Sequence, residues 1–429
     1  MKRVLGRWWP LAASWMLMGA ELPLVSAVIA RLAHPEINLA AYGGVVFPLA
    51  LLIESPIIML LAASTALSRD WRSYLALRRF MMGAGLALTA FHALLVYTPL
   101  YYVVVRGLLG APAEIVEPAR LGLMIMIPWS WAIAYRRFNQ GILIRFNHAR
   151  AVSAGTLIRL SVLVTALTLG YWQGSLPGVV VGTGAVIAGI LSEALYIGLR
   201  VQPVIRDQLQ SAVARRSPLA PRAFARFYVP LALTSLLGLL IQPLGSAALS
   251  RMPHALESLA VWPVVGGLLF LLRSLGFAYQ EVVVALLDEP QTLESLRRFA
   301  LILAAATTAL LLLIAATPLA TVWFEGLSGL SPALARLAQT GLWIGFLMPA
   351  LSTLQNWYQG LIVHSRRTRG ITESIVIALA VTVGLLWAGV TWGTFPGLYV
   401  GLAAFVSGNL IQVLWLWQRS RPVWQGAQL

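Results

Sequence analysis

Five ionisable residues, Glu21, Glu54, Arg159, Glu193 and Arg273, stand well inside apolar stretches, and a sixth, Glu281, stands nearer the end of one. A charge at the centre of a membrane helix costs about 3 kcal/mol on insertion scales, so each needs a partner, a hydrated cavity or a ligand. A desolvated carboxylate facing water is suited to carry a proton or a sodium ion. A guanidinium instead holds an anion in a rigid fork of donors. The chemistry these residues offer is therefore ion and ligand binding.

Other chemistries lack their residues. There are no cysteines, which excludes disulfides, thiolate metal sites and cysteine nucleophiles. The five histidines, His34, His92, His148, His254 and His364, are scattered and form no ligand pair, so no metal site is expected. No catalytic constellation and no Walker loop is visible, so neither an enzyme nor a nucleotide-driven pump is expected. The only cofactor expected is a coupling ion, H⁺ or Na⁺.

The elements that must position these charges follow from composition. Hydrophobic residues make up 59% of the 429 positions and charged residues 11%, with a mean hydropathy of +0.80. Such values describe a polytopic membrane protein. Twelve apolar runs match the roughly 30 Å hydrocarbon core. They lie near 8–30, 39–66, 80–105, 119–143, 150–171, 178–200, 227–249, 259–287, 299–323, 333–362, 371–392 and 397–418; we number them spans 1 to 12.

The formal charge of +16 would suggest nucleic acid in a soluble chain, but its distribution argues otherwise. Most of the 31 Lys and Arg fall at the two termini and in the even-to-odd connections. The positive-inside rule then puts both termini in the cytoplasm, in agreement with an even number of crossings of the cell's inner or plasma membrane. The apolar segment behind Lys2, Arg3 and Arg7 is too long for a signal peptide and is read as an uncleaved first span.

The second half repeats the first. At an offset of 220, Pro10, Pro23, Arg31 and His34 match Pro230, Pro243, Arg251 and His254. At 219, "LRRF" at 77–80 matches 296–299, "TPL" at 98–100 matches 317–319, and "QG" at 140–141 matches 359–360. Each repeat holds six spans, so the halves enter the membrane in the same direction. The expected fold is all-α, with twelve transmembrane helices as two parallel six-helix repeats. The division is residues 1–200, a cytoplasmic linker at 201–226, and residues 227–429.

The repeat also sorts the charges. Arg159 and Glu193 correspond to Ala378 and Gln412, so both charges vanish together from the second half, as a structural charge pair would. Glu54 corresponds to Arg273, and the two are expected to face a central cavity from opposite sides. Gln280 shares the helical face of Arg273, with Glu281 beside it. Glu21 has Gln242 close to its counterpart position. Substrate or ion binding is therefore expected of Glu21, Glu54, Arg273, Gln242, Gln280 and Glu281. Pro56 is expected to leave the Leu52 carbonyl without its helical donor and open to a cation.

The paired repeats, with "WPL" at 9–11 and "VPL" at 229–231 opening the halves and prolines inside spans 1 and 7, resemble the multidrug/oligosaccharidyl-lipid/polysaccharide (MOP) exporter superfamily, which includes the multidrug and toxic compound extrusion (MATE) transporters. Within it, "LAAYG" at 39–43, "QGILIRFNHARAVSAGTLIRL" at 140–160 and "RFYVPLALTSLLGLLIQPLGSAALSR" at 226–251 are most similar to the progressive ankylosis (ANK) branch. The resemblance implies a twelve-helix exporter with a cavity lined by spans 1, 2, 7 and 8 and alternating access. Expected is ion-coupled efflux of a small organic or phosphate-containing anion. A MATE-type cation antiporter and a lipid or lipid-linked glycan flippase are the alternatives. The expected partners are the bilayer and a small-molecule substrate, with no nucleic acid, and the chain is expected to be a monomer.

Overall fold

In the computed structural model, which describes residues 1–211, 220–287, 292–365 and 369–426, every regular element among the described residues is a helix. Eleven helices are long and apolar enough to cross a membrane. They fall on the expected spans with the fourth left out. The fourth is built from Ala113–Ile125 and Trp129–Arg145, interrupted at 126–128. It carries Arg120, Arg136, Arg137 and Arg145, which is why it lacks the apolar character of the rest.

Prolines explain several breaks. Span 1 is interrupted at Ala20, with Pro23 in the turn that follows. Span 2 runs from Pro35 to Glu54, leaves helical geometry at 55–59 around Pro56, and resumes at Leu60–Leu67. Pro243 and Pro263 lie within continuous helices. The linker expected at 201–226 is shorter than read from sequence. Span 6 continues as Gly178–Leu209 and span 7 begins at Pro221. Between them, 212–219 lie outside the described residues. Arg206 and Arg222, on the helical extensions at the linker's two ends, are exposed, as charges on the polar side of a helix are.

The two repeats agree in backbone detail. His34 and His254 both open a helix from the left-handed region, at φ 51° and 55°. Gly110 and Gly329, and Gly174 and Gly393, share positive φ at the same offset. Five-residue-step turns recur at Val103–Leu108 and Val322–Leu327. Thr98 and Thr317 each accept a backbone N–H at 3.3 Å, from Leu100 and Leu319.

The helices pack as two compact units, one of Met1–Ala30 with Ala247–Leu429 and one of Arg31–Ser246. Each repeat thus lends its first span to the unit formed by the rest of the other. In the first unit, Trp8 donates its indole N–H to the Leu275 carbonyl at 2.9 Å and meets Phe299 edge-on at 5.4 Å. Gly267 of span 8 lies directly against Pro23. In the second, Phe80 meets Phe224 and Tyr228 of span 7 edge-on at 4.8 and 5.0 Å. In lipid such packing replaces the hydrophobic drive, and small residues allow the closest approaches. Gly141 of span 4 is one: a Cβ there would stand 1.8 Å from Ser64 Oγ and 2.5 Å from the Leu61 carbonyl of span 2.

Candidate functional site

In the unit Arg31–Ser246, Glu54 is the last helical residue before the break in span 2 and is only 4% exposed. The Leu52 carbonyl, expected to be open to a cation, is instead occupied. Ser55 donates its hydroxyl to it at 2.7 Å, supplying the donor that the proline removes. The Pro56 carbonyl accepts from the Tyr228 hydroxyl at 2.7 Å, tying the irregular turn to span 7. Glu54 lies within electrostatic reach of Arg137 on span 4. That gives it a basic neighbour inside its own unit, where the repeat had suggested Arg273.

Glu193, fully buried on span 6, anchors a cluster. Arg136 Nη1 lies 2.6 Å from Glu193 Oε2, Gln140 Nε2 donates to Oε1 at 3.0 Å, and Arg159 Nε lies 3.5 Å from Oε2. The structure thus brings together Arg159 and Glu193, as expected from their joint absence in the second repeat. It adds Arg136 and Gln140, one helical turn apart on span 4. A carboxylate that accepts at both oxygens from charged and neutral donors meets the conditions under which a buried ion pair is tolerated.

Arg136 and Arg137 lie within the fourth apolar run yet are not among the buried charges expected from sequence, because they stand close to Arg145 and Arg150 at its end. Their spacing carried a signal. Arg136 and Gln140 stand four residues apart, and their counterparts Gln355 and Gln359 keep the same polar stripe.

The other unit, Met1–Ala30 with Ala247–Leu429, holds Glu21, Arg273, Gln280 and Glu281; Gln242 belongs with Glu54. Glu21 opens the second segment of span 1, partly exposed. Arg273 Cζ lies 5.7 Å from the centre of the Phe277 ring, one turn along span 8, and Phe277 meets Trp15 edge-on at 5.4 Å. Among the described residues Arg273 forms no ion pair, and its Nε is buried without a hydrogen-bond partner.

Immediately beyond lies a cavity of about 550 Å³ lined by Trp15, Phe277, Gln280, Glu281 and Asn356, among others. Asn356 is held in place by a bond to the Ser352 carbonyl at 2.8 Å. The cavity thus combines two aromatic faces, two amides and one carboxylate, and it shares Phe277 with the guanidinium of Arg273. Among the described residues, no group of three or more histidine, aspartate or glutamate side chains stands close enough to hold a metal ion.

No protein-family model and no curated protein sequence matches the chain. Solved structures do. An inward-facing multidrug resistance MATE family transporter of the MOP superfamily matches at TM-score 0.70 and 16% identity, over 95% of this chain and 96% of that one. The lipid II flippase MurJ, in an inward closed conformation, matches at TM-score 0.73 and 15% identity, over 96% and 87%. A MOP superfamily transporter from Pyrococcus furiosus, described as having a binding pocket of reverse polarity, matches at 0.62 and 17%, over 98% and 96%. At these identities the likeness speaks for architecture: the chain is a multi-pass membrane protein with the fold of the MOP-superfamily transporters.

Proposed function

We propose that this protein is a secondary active transporter that exports a small organic or phosphate-containing anion by alternating access, coupled to H⁺ or Na⁺ through Glu21 or Glu54. The observation that carries the anion is Arg273. A guanidinium within a membrane helix, without an ion-pair partner among the described residues and stacked over Phe277, is a charge kept for a ligand. That this fold accommodates more than one pocket polarity is supported by the neighbour described as reversed. The affinity to the ANK branch rests on the quoted segments alone, and it makes citrate and pyrophosphate the first anions to try. Both termini lie in the cytoplasm on the charge distribution.

The test is uptake into proteoliposomes of labelled citrate and pyrophosphate, with an imposed proton or sodium gradient. Arg273→Gln should abolish uptake while its melting temperature in detergent stays at the wild-type value. Undiminished uptake by that variant would overturn the reading.

One observation favours a second reading. Glu281 and the rings of Trp15 and Phe277 in one cavity are the ingredients of a site for an aromatic cation, the substrate type of an antiporter. A thermal-shift screen separates the two: stabilisation by cationic dyes and by no anion would select the cation.

A further inference from the structure

A second cavity of the unit Met1–Ala30 with Ala247–Leu429, about 480 Å³, lies between spans 9, 10 and 12. It is lined by Arg297, Leu354, Trp357, Tyr358, Trp417 and Arg421, among others. Arg297 sits in the second turn of span 9 and Arg421 at the end of span 12, so the cavity lies near the ends of these helices. Arg421 Cζ stacks 3.9 Å from the centre of the Trp417 ring, and Arg297 stands within electrostatic reach of Tyr358.

The first repeat supplies an internal control. Position 354 corresponds to Tyr135, 417 to Gly198, 421 to Gln202 and 297 to Arg78. There the Tyr135 ring lies across Gly198, so close that a Cβ on the glycine would stand 2.5 Å from the phenol oxygen. Gln202 turns back to the Gly198 carbonyl at 3.2 Å. In the second repeat the tyrosine has become a leucine, the glycine a tryptophan and the glutamine an arginine. The tyrosine that lay across the glycine has gone, an indole lines the cleft in its place, and a second guanidinium stacks on that indole.

Two guanidinium groups at one cleft match a phosphate, whose oxygens take paired N–H donors. The walls argue for a phosphate attached to a lipid. Leu301, which lines the same cleft, and Trp417 are 52% and 43% exposed, an apolar surface that an acyl chain would cover. Tyr358 and Trp417 are of the aromatic types that gather at the membrane interface. We propose that this cleft binds the phosphodiester headgroup of an anionic phospholipid taken from the bilayer. The cleft is separate from the cavity of Glu281, and the proposal stands or falls independently of what the protein transports.

The experiment uses the purified full chain in detergent, with melting temperature and native mass spectrometry as readouts. Phosphatidylglycerol should raise the melting temperature and remain bound, whereas phosphatidylcholine and millimolar inorganic phosphate should do neither. Arg297→Gln with Arg421→Gln should remove the phosphatidylglycerol shift, measured against that variant's own lipid-free melting temperature. Leu354→Tyr, which adds bulk to the cleft beside Trp417 while keeping both charges, should also remove it. Arg421→Gln alone, which brings in the first repeat's residue, should weaken it.

Equal stabilisation by phosphatidylcholine, an equal effect of inorganic phosphate, or retention of phosphatidylglycerol by the double arginine variant would each overturn the proposal.

Discussion

Arg136 and Glu193 lie 2.6 Å apart in the interior of one unit, with Arg159 on the same carboxylate at 3.5 Å. Two guanidinium groups on one carboxylate leave a net positive charge inside the helices. The three are mutually dependent, and their substitution effects should not add.

Glu193→Gln should destabilise by about 3–5 kcal/mol, because it leaves two buried guanidinium groups without their anion. The second repeat shows the uncharged solution, with Gln355, Ala378 and Gln412 at the three positions. The triple variant Arg136→Gln, Arg159→Ala, Glu193→Gln should therefore recover most of the loss. Unfolding in detergent measures both, and a triple variant no more stable than Glu193→Gln would contradict the account.

Gly141→Ala should cost about 1–3 kcal/mol, since overpacking against a neighbouring backbone cannot be relieved by a side-chain rotation. Its Cβ would meet the Leu61 carbonyl and the Thr65 amide as well as the Ser64 hydroxyl. At Gly360, the counterpart, an added Cβ would stand 2.7 Å from the Val283 side chain and 3.3 Å from the Gln280 carbonyl, so alanine should be tolerated somewhat better there. Melting temperatures of the two variants, compared side by side, check the order.

Tyr228→Phe removes the hydroxyl that holds the Pro56 carbonyl. Hydrogen bonds between membrane helices average about 0.6 kcal/mol, so the global effect should be small. The local effect should be larger: hydrogen exchange should speed up at 55–59, where the helix is already broken, and not in spans 8 to 12.

Glu281→Gln separates the two substrate readings. If the transported species is an anion held by Arg273, its uptake should persist in the variant. Binding of cationic dyes should fall, because the cavity's carboxylate has gone. Measured together, anion uptake and dye affinity should move independently.

Much of the architecture was legible in the sequence because lipid is an undemanding solvent to read. Apolar runs of the right length must be helices, and the repeat shows that the second six spans follow the pattern of the first. The Glu193 pair with Arg159 was legible for a related reason: one repeat carries both charges and the other neither. Arg136 and Arg137 were not, since hydropathy alone cannot tell an arginine at the end of a helix from one turned inward against Glu193. The Leu52 carbonyl was misread because a rule about proline is silent on Ser55, whose hydroxyl supplies the missing donor. The exchange of spans 1 and 7 between units is likewise invisible to repeat matching, which reports similarity and not which helix touches which.

That exchange has a consequence for biosynthesis. Trp8 emerges from the ribosome early, yet the Leu275 carbonyl that receives its N–H follows 267 residues later. Until span 8 is inserted, span 1 lacks the helix that accepts its indole N–H. A chain released after span 7 would hold a first helix with nowhere to dock, exposing the packing face of Trp8 to lipid and to quality-control proteases.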